Sequence, residues 1–148
     1  LRLRQMREML QVATRELLGR PPIIAFACRQ SAVPSADAAG QAGLALPTDV
    51  LLVDVPCAGL VGKQIVLDTM DRGARGVLVL ACHHENCRSL WGSDLGRKRI
   101  DEIRDALGTV GVESDRVRFH TIAANEPHRL ANLLAEASES MPTGQIAE

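Results

Sequence analysis

Residues 77–87 read VLVLACHHENC, an apolar run that ends at a cysteine and is followed by a polar loop closed by a second cysteine. Two more apolar runs end in a similar way, IIAFAC at residues 23–28 and LLVDVPC at residues 51–57. Runs of this length that alternate with helical stretches predict parallel strands buried on both faces. The carboxyl ends of such strands lie along one edge of the sheet, where α/β proteins place their functional groups.

The pattern outward from these runs predicts alternating helices and strands. Strands are expected at Ile23–Ala27, Val50–Val55, Val77–Ala81 and Val117–Ile122, and helices at 1–18, 34–45, 61–72, 95–107 and 126–137. In the helix over 95–107, Leu95, Ile100, Ile103 and Leu107 are expected to face the core. Connections of this length indicate crossovers, so the predicted fold is α/β: a three-layer, doubly wound parallel sheet of four or five strands, flavodoxin- or Rossmann-like.

The chain is expected to contain one compact α/β domain over residues 22–137. Residues 1–21 are interpreted as an N-terminal helix or a linker from a larger chain, and residues 138–148 as a tail. A single core suits the 148 residues.

Composition narrows the classes of function. The formal net charge is −1 and aromatic residues make up 2%, which gives no reason to expect a nucleic-acid partner. No apolar run approaches the roughly 18 residues that a membrane span needs, so no direct membrane insertion is expected. Four cysteines without a secretory pattern favour metal or redox chemistry in a reducing compartment, and we expect the cytoplasm.

The four cysteines are the candidate site. Cys28, Cys57, Cys82 and Cys87 follow three strand ends, which would bring four sulfurs to one edge, enough for a metal ion or an iron–sulfur cluster. Buried structural thiols and a structural zinc site are the alternatives. Thiol–disulfide exchange of the thioredoxin type is disfavoured, because the spacing is C-x4-C and Ser31 stands where a C-x-x-C motif would place its second thiol.

Polar residues around the cysteines leave several interpretations open. His83 and His84 are candidates for ligands, for hydrogen-bond donors to cluster sulfur, or for solvated loop residues. The basic residues that follow the loop form either a solvated helix face or a docking patch for an acidic redox partner: Arg88, Arg97, Lys98, Arg99 and Arg104. No nucleotide-binding motif or hydrolytic triad can be identified from the spacing.

At these residues the chain resembles the delta subunit of the methyl-viologen-reducing hydrogenase, over roughly residues 22–137. The resemblance rests on Cys28 and on the segments ADAAG at 36–40, VPCAG at 55–59, GARGVLV at 73–79, ACHHENC at 81–87 and WGS at 91–93, with Arg99. The family loop has the form Cys-His-Pro-Gly-Asp-Cys-His, so Cys82, His83 and Cys87 match it. Ser31 stands where the family usually carries a further cysteine, and Arg88 where it has histidine.

The resemblance implies an electron-transfer role. Family members are adaptors that hold a [2Fe–2S] cluster between a hydrogenase or formate dehydrogenase and a flavin-containing reductase similar to heterodisulfide reductase. It implies that Cys28, Cys57, Cys82 and Cys87 ligate this cluster and that the chain is part of an oxidoreductase complex without substrate chemistry of its own. The alternative is a docking module that holds zinc or no metal and assembles such a complex.

Overall fold

The computed structural model describes residues 21–142. The helix predicted at 1–18 and the part of the predicted tail beyond residue 142 lie outside the described residues. Within them no helix is long and apolar enough to cross a membrane.

Four strands alternate with four helices along the described chain. The elements are β1 (Ile23–Cys28), α1 (Ala32–Gln41), β2 (Val50–Val55), α2 (Lys63–Asp71), β3 (Gly76–Ala81), α3 (Gly92–Thr109), β4 (Val117–Thr121) and α4 (Pro127–Ser140). Short 3₁₀ turns occupy Ala58–Leu60, His84–Asn86 and Ser114–Arg116.

The four strands form one parallel sheet in the order β2-β1-β3-β4. Ile23 at the start of β1 pairs with Val50 on one side and with Gly76 on the other. Every residue of β1 and β3 is buried, as expected for the central strands of a sheet covered on both faces. The predicted fold class is confirmed.

Side chains that alternate along the strands divide the core into two layers. One face of the sheet packs Ile24, Phe26 and Val79 against α3 residues such as Ile100 and Ile103. The other face packs Ile23, Ala25 and Leu80 against α4 residues such as Leu130 and Leu134. α1 also contacts α4 on this second face. The chain therefore winds to both sides of the sheet, and its direction of winding changes between β1 and β3.

Helix bounds and one side-chain orientation differ from the sequence predictions. The helix predicted at 34–45 is α1, which spans Ala32–Gln41, and the one predicted at 61–72 is α2, which spans Lys63–Asp71. The prediction that Leu95 faces the core is wrong, because α3 begins at Gly92 and its buried face runs through Gly92, Gly96 and Ile100, which leaves Leu95 exposed. The last helix continues to Ser140, beyond the predicted end at Ala137, and Met141 after it is buried. Met141 packs close to Gly76 at the start of β3, which holds this end of the described chain on the sheet.

Candidate functional site at the carboxyl edge of the sheet

Three cysteine side chains form a buried cluster at the carboxyl edge of the two central strands. Cys28 is the last residue of β1, and Cys82 directly follows the last residue of β3. Cys87 joins them, so that the three pack together as a small group separate from the two main core layers. This edge lies where the winding direction changes, the usual place for a ligand site in an open α/β sheet.

The residues between Cys82 and Cys87 fold into a single turn. The backbone N–H of Asn86 donates to the carbonyl of His83 at 3.0 Å within the turn His84–Asn86. Burial raises the pKa of Cys82 to about 12, assisted by its hydrogen bond with Cys87 and by the nearby Cys28. Burial therefore favours the protonated thiol of Cys82.

The pKa of Cys87 is shifted in the opposite direction. Burial acts to raise its pKa, but the backbone N–H of Ser93, the side chain of Cys82 and the backbone N–H groups of Ser89 and Gly92 together lower it below the usual thiol value. These backbone groups belong to the segment that leads from Cys87 into the first turn of α3. The first turn of a helix presents N–H groups that favour negative charge.

Cys57 lies beside this cluster, two residues after the end of β2. Its sulfur accepts a hydrogen bond from the Gly59 backbone N–H at 3.4 Å, which caps the turn Ala58–Leu60. A Cβ placed on Gly92 would stand 2.2 Å from Cys57 Sγ and 3.6 Å from Cys87 Sγ. The Gly92 position, which has room for glycine only, therefore lies close to both the Cys57 and the Cys87 sulfur.

Close backbone contact fixes the start of α3 against the turn that follows Cys57. A Cβ on Gly59 would come within 3.0 Å of the Gly92 carbonyl oxygen, and one on Gly96 within 3.3 Å of the Ala58 carbonyl oxygen. The Arg99 guanidinium donates to the Gly59 carbonyl across the same contact. Ser93 Oγ donates to the Cys82 carbonyl at 2.7 Å and so joins α3 to the end of β3.

The two histidines of the loop are paired with carboxylates. His83 Nε2 lies 3.2 Å from Glu126 Oε2, and that oxygen also accepts the Ala123 backbone N–H at 2.7 Å. These two contacts, the backbone one first, lower the pKa of Glu126. His84 Nδ1 lies 2.7 Å from Asp94 Oδ2 in an exposed pair. Neither histidine is part of the buried thiol cluster.

The structure thus brings together three of the predicted ligands and places the fourth next to them. All four cysteines are free thiols. Within residues 21–142, no group of three or more histidine, cysteine, aspartate or glutamate side chains is arranged to hold a metal ion. What the arrangement offers is a set of soft sulfur donors in contact with backbone N–H groups.

The sequence assigned no role at the site to Gly92, Ser93 or Glu126. Gly92 and Ser93 stand in the WGS segment, where small residues at a helix start are a weak signal, but nothing local shows which cysteine they approach. Glu126 is 43 residues from His83, so only the fold brings them together.

Comparison with known proteins gives a family match over nearly all of the described chain. The family model described as methyl-viologen-reducing hydrogenase, delta subunit, matches residues 23–143. The iron–sulfur subunit of the F420-non-reducing hydrogenase of Archaeoglobus profundus is 31% identical over 116 residues, which are 78% of this chain and 85% of that protein. The corresponding subunit of Methanopyrus kandleri is 27% identical over 117 residues, 79% of this chain and 89% of that protein.

A second kind of relative is much longer. One subunit of the ferredoxin:CoB-CoM heterodisulfide reductase of Methanosarcina mazei is 27% identical over 132 residues, which cover 89% of this chain but 17% of that protein. The chain therefore spans less than a fifth of the length of this reductase subunit. The extent of the family match confirms the resemblance read from the sequence: the chain belongs to the methyl-viologen-reducing hydrogenase delta subunit family.

Proposed function

We propose that this chain is an electron-transfer module that holds a [2Fe–2S] cluster on Cys28, Cys57, Cys82 and Cys87. The observation that carries the proposal is the buried contact among Cys28, Cys82 and Cys87, with the Cys57 and Cys87 sulfurs both close to Gly92. Four thiolates are the usual ligand set of such a cluster.

The surroundings of the thiols fit a negatively charged cofactor. Because Gly92 has no side chain, the Cys57 sulfur can lie where a Cβ would otherwise clash with it. The backbone N–H groups of Ser93, Ser89 and Gly92 favour the ionised form of Cys87, and the N–H of Gly59 reaches Cys57. Hydrogen bonds to ligand sulfur tune the reduction potential of iron–sulfur centres. The cluster would supply one-electron transfer, while the protein residues hold it and exclude water from its buried side.

The relatives support a place in a larger oxidoreductase. They include iron–sulfur subunits of F420-non-reducing hydrogenases and long subunits of heterodisulfide reductases. We propose that the chain relays electrons between a hydrogenase or formate dehydrogenase and a flavin-containing reductase of the heterodisulfide reductase type. It carries out no reaction on a small substrate by itself.

The cofactor is tested by anaerobic purification of the full chain, followed by iron and acid-labile sulfide analysis and EPR after reduction. The expected content is about two iron and two sulfide per chain, with the signal of a one-electron-reduced [2Fe–2S] centre. Zinc without sulfide, or no metal after reconstitution with iron and sulfide, would contradict the proposal and favour an assembly module.

The ligands are tested by changing each cysteine to serine. Each of the four variants is expected to lose at least half of its iron and sulfide, because one thiolate is missing. The control combines Cys57→Ser with Ser114→Cys, which keeps four cysteines in the chain but moves one away from the edge. The control should be as deficient as Cys57→Ser alone. Full iron content in a single variant would remove that residue from the ligand set.

A further inference from the structure

Ser31 is a buried serine whose hydroxyl has no hydrogen-bond partner among residues 21–142. The residue is 3% exposed, and no described donor or acceptor forms a hydrogen bond with its Oγ. A hydroxyl that is taken out of water without a partner costs free energy, so such groups are uncommon in folded proteins. A partner that is not part of the polypeptide would remove this cost.

The position of Ser31 in the chain does not explain its hydroxyl. Ser31 is the N-cap of α1, where serine is common because its oxygen accepts a backbone N–H of the first helical turn. Here the backbone has φ −136° and ψ −64°, and the side chain makes no capping hydrogen bond. The hydroxyl is therefore buried without the structural role that an N-cap serine usually has.

The backbone holds Ser31 against the first thiol of the site. The Ser31 N–H donates to the Cys28 carbonyl at 3.2 Å, which closes the turn from β1 into α1. Cys28 is 2% exposed and packs with Cys82 and Cys87. The unpaired hydroxyl thus belongs to the turn that carries the Cys28 thiol.

A bound cluster would supply the acceptor that this hydroxyl lacks. The cysteines of the site are free thiols, and the sulfur of a protonated thiol is a weak hydrogen-bond acceptor. A thiolate or sulfide bound to iron carries negative charge, and hydrogen bonds to ionised acceptors are stronger than those between neutral groups. The hydroxyl therefore gains a strong acceptor when the cluster binds.

We propose that Ser31 Oγ donates a hydrogen bond to a sulfur of the bound cluster at Cys28 and so raises the reduction potential of the cluster. The proposal rests on the proposed function, because it requires the [2Fe–2S] cluster. Reduction adds an electron and increases the negative charge on the sulfurs, so a donor stabilises the reduced state more than the oxidised one. Ser31 is a residue that tunes the cluster and is not one of its ligands.

Ser35 offers a matched control on the same helix. It is 0% exposed, and its Oγ likewise has no hydrogen-bond partner in the described part of the chain. The Ser35 N–H donates to the Ser31 carbonyl at 3.1 Å, so Ser35 lies one turn further along α1, about 6 Å from Ser31 along the helix axis. Removal of its hydroxyl is the same chemical change at a position further from Cys28.

The test is an EPR-monitored redox titration of the full chain and its variants after reconstitution with iron and sulfide. Ser31→Ala is expected to keep the iron and sulfide content of the wild-type chain. It should lower the equilibrium constant for reduction about tenfold, which for one electron is a fall of about 59 mV in midpoint potential. Ser35→Ala should leave the midpoint potential unchanged. Ser31→Thr, which keeps the hydroxyl, should have a higher midpoint potential than Ser31→Ala.

Urea denaturation of the iron-free chain gives a second readout, which does not depend on the cluster. The Ser31 hydroxyl has no partner among the described residues in this form, so its removal breaks no hydrogen bond. Iron-free Ser31→Ala should therefore be at least as stable as the iron-free wild-type chain. A loss of stability larger than that of Ser35→Ala would show that the hydroxyl has a partner without the cluster, such as a buried water, and would overturn the proposal.

The contrary results of the titration separate this proposal from the proposed function. Equal midpoint potentials in Ser31→Ala and Ser35→Ala, both with full iron and sulfide, would overturn the proposal and leave the cluster in place. A midpoint potential of Ser31→Thr no higher than that of Ser31→Ala would do the same. Loss of half of the iron from Ser31→Ala would make Ser31 a ligand, which also overturns a tuning role. A wild-type chain that binds no iron and sulfide would contradict the proposed function and this proposal together.

Discussion

Gly92 allows the Cys57 sulfur to lie against the start of α3, because a Cβ at this position would stand 2.2 Å from that sulfur. We predict that Gly92→Ala displaces Cys57 and lowers the iron and sulfide content of the purified chain to less than half. The forced contact should also cost about 1–3 kcal/mol in the free energy of unfolding, as overpacking does in other buried sites. Metal analysis and chemical denaturation measure the two effects.

Gly108→Ala is the matched control on the same helix. A Cβ at Gly108 meets nothing within 4 Å, and the residue is exposed. Exchange of a helical glycine for alanine should therefore stabilise the chain by up to about 1 kcal/mol and leave the iron content unchanged. If Gly92→Ala behaved as Gly108→Ala does, the thiol site would not depend on the close approach.

At the scale of residues, the sequence predicted that the cysteines lie at one edge of the sheet, but it did not predict their surroundings. Cys28, Cys57 and Cys82 could be placed there because each follows an apolar run, and a parallel sheet gathers strand ends at one edge; Cys87 closes the loop that follows Cys82. Gly92 could not be assigned a role, since its contact with Cys57 spans 35 residues and depends on how α3 packs on the turn after Cys57. The exposure of Leu95 follows from the same packing.

At the scale of elements, Ser93 connects the start of α3 to the end of β3. Its hydroxyl is buried and donates to the Cys82 carbonyl at 2.7 Å. We predict that Ser93→Ala lowers the free energy of unfolding by about 1–2 kcal/mol, because a buried carbonyl loses its donor. Ser89→Ala, a change of the same kind at an exposed serine of this segment, should cost less than about 0.5 kcal/mol.

Urea denaturation of the two serine variants tests this link. A loss of stability in Ser93→Ala no larger than that in Ser89→Ala would show that the hydrogen bond does not hold the helix to the strand. The thiol of Cys82 is unchanged in both variants, so a difference in iron content between them would report on the position of the helix alone.

The elements themselves were predictable because their signals are local. Apolar runs of five or six residues between helical patterns indicated β1, β2 and β3, and the fully apolar runs of β1 and β3 indicated the two central strands, whereas β4 reads VRFHT. The helix ends were less predictable. α3 starts three residues before Leu95 because Gly92 can approach the Gly59 backbone, a contact between distant segments that no local pattern encodes.

At the scale of the whole molecule, the thiol site and a buried ionic contact lie at opposite edges of the parallel sheet. The carboxyl edge carries the thiols and the exposed side chains of Leu90 and Trp91. The opposite edge carries a buried ionic contact in which Arg75 donates to Asp49 at 3.0 Å and to the Ser138 carbonyl at 3.0 Å. Ser138 Oγ in turn donates to Asp49 at 2.7 Å, so the contact joins the starts of β2 and β3 to α4.

This separation predicts that the free energy of unfolding and the iron content of the chain can be changed independently. Asp49→Ala removes the carboxylate beside the buried Arg75 guanidinium and should lower the free energy of unfolding by about 3 kcal/mol, whereas Asp54→Ala, at the exposed pair with Arg29, should cost less than about 1 kcal/mol. Addition of Arg75→Met to Asp49→Ala should recover part of the loss, because it removes a buried charge that has lost the Asp49 carboxylate. Below their melting temperatures all three variants should retain the iron content of the wild-type chain.

Equal losses of stability in Asp49→Ala and Asp54→Ala would contradict the structural role of the buried contact. A loss of iron in fully folded Asp49→Ala would show that the two edges of the sheet are coupled.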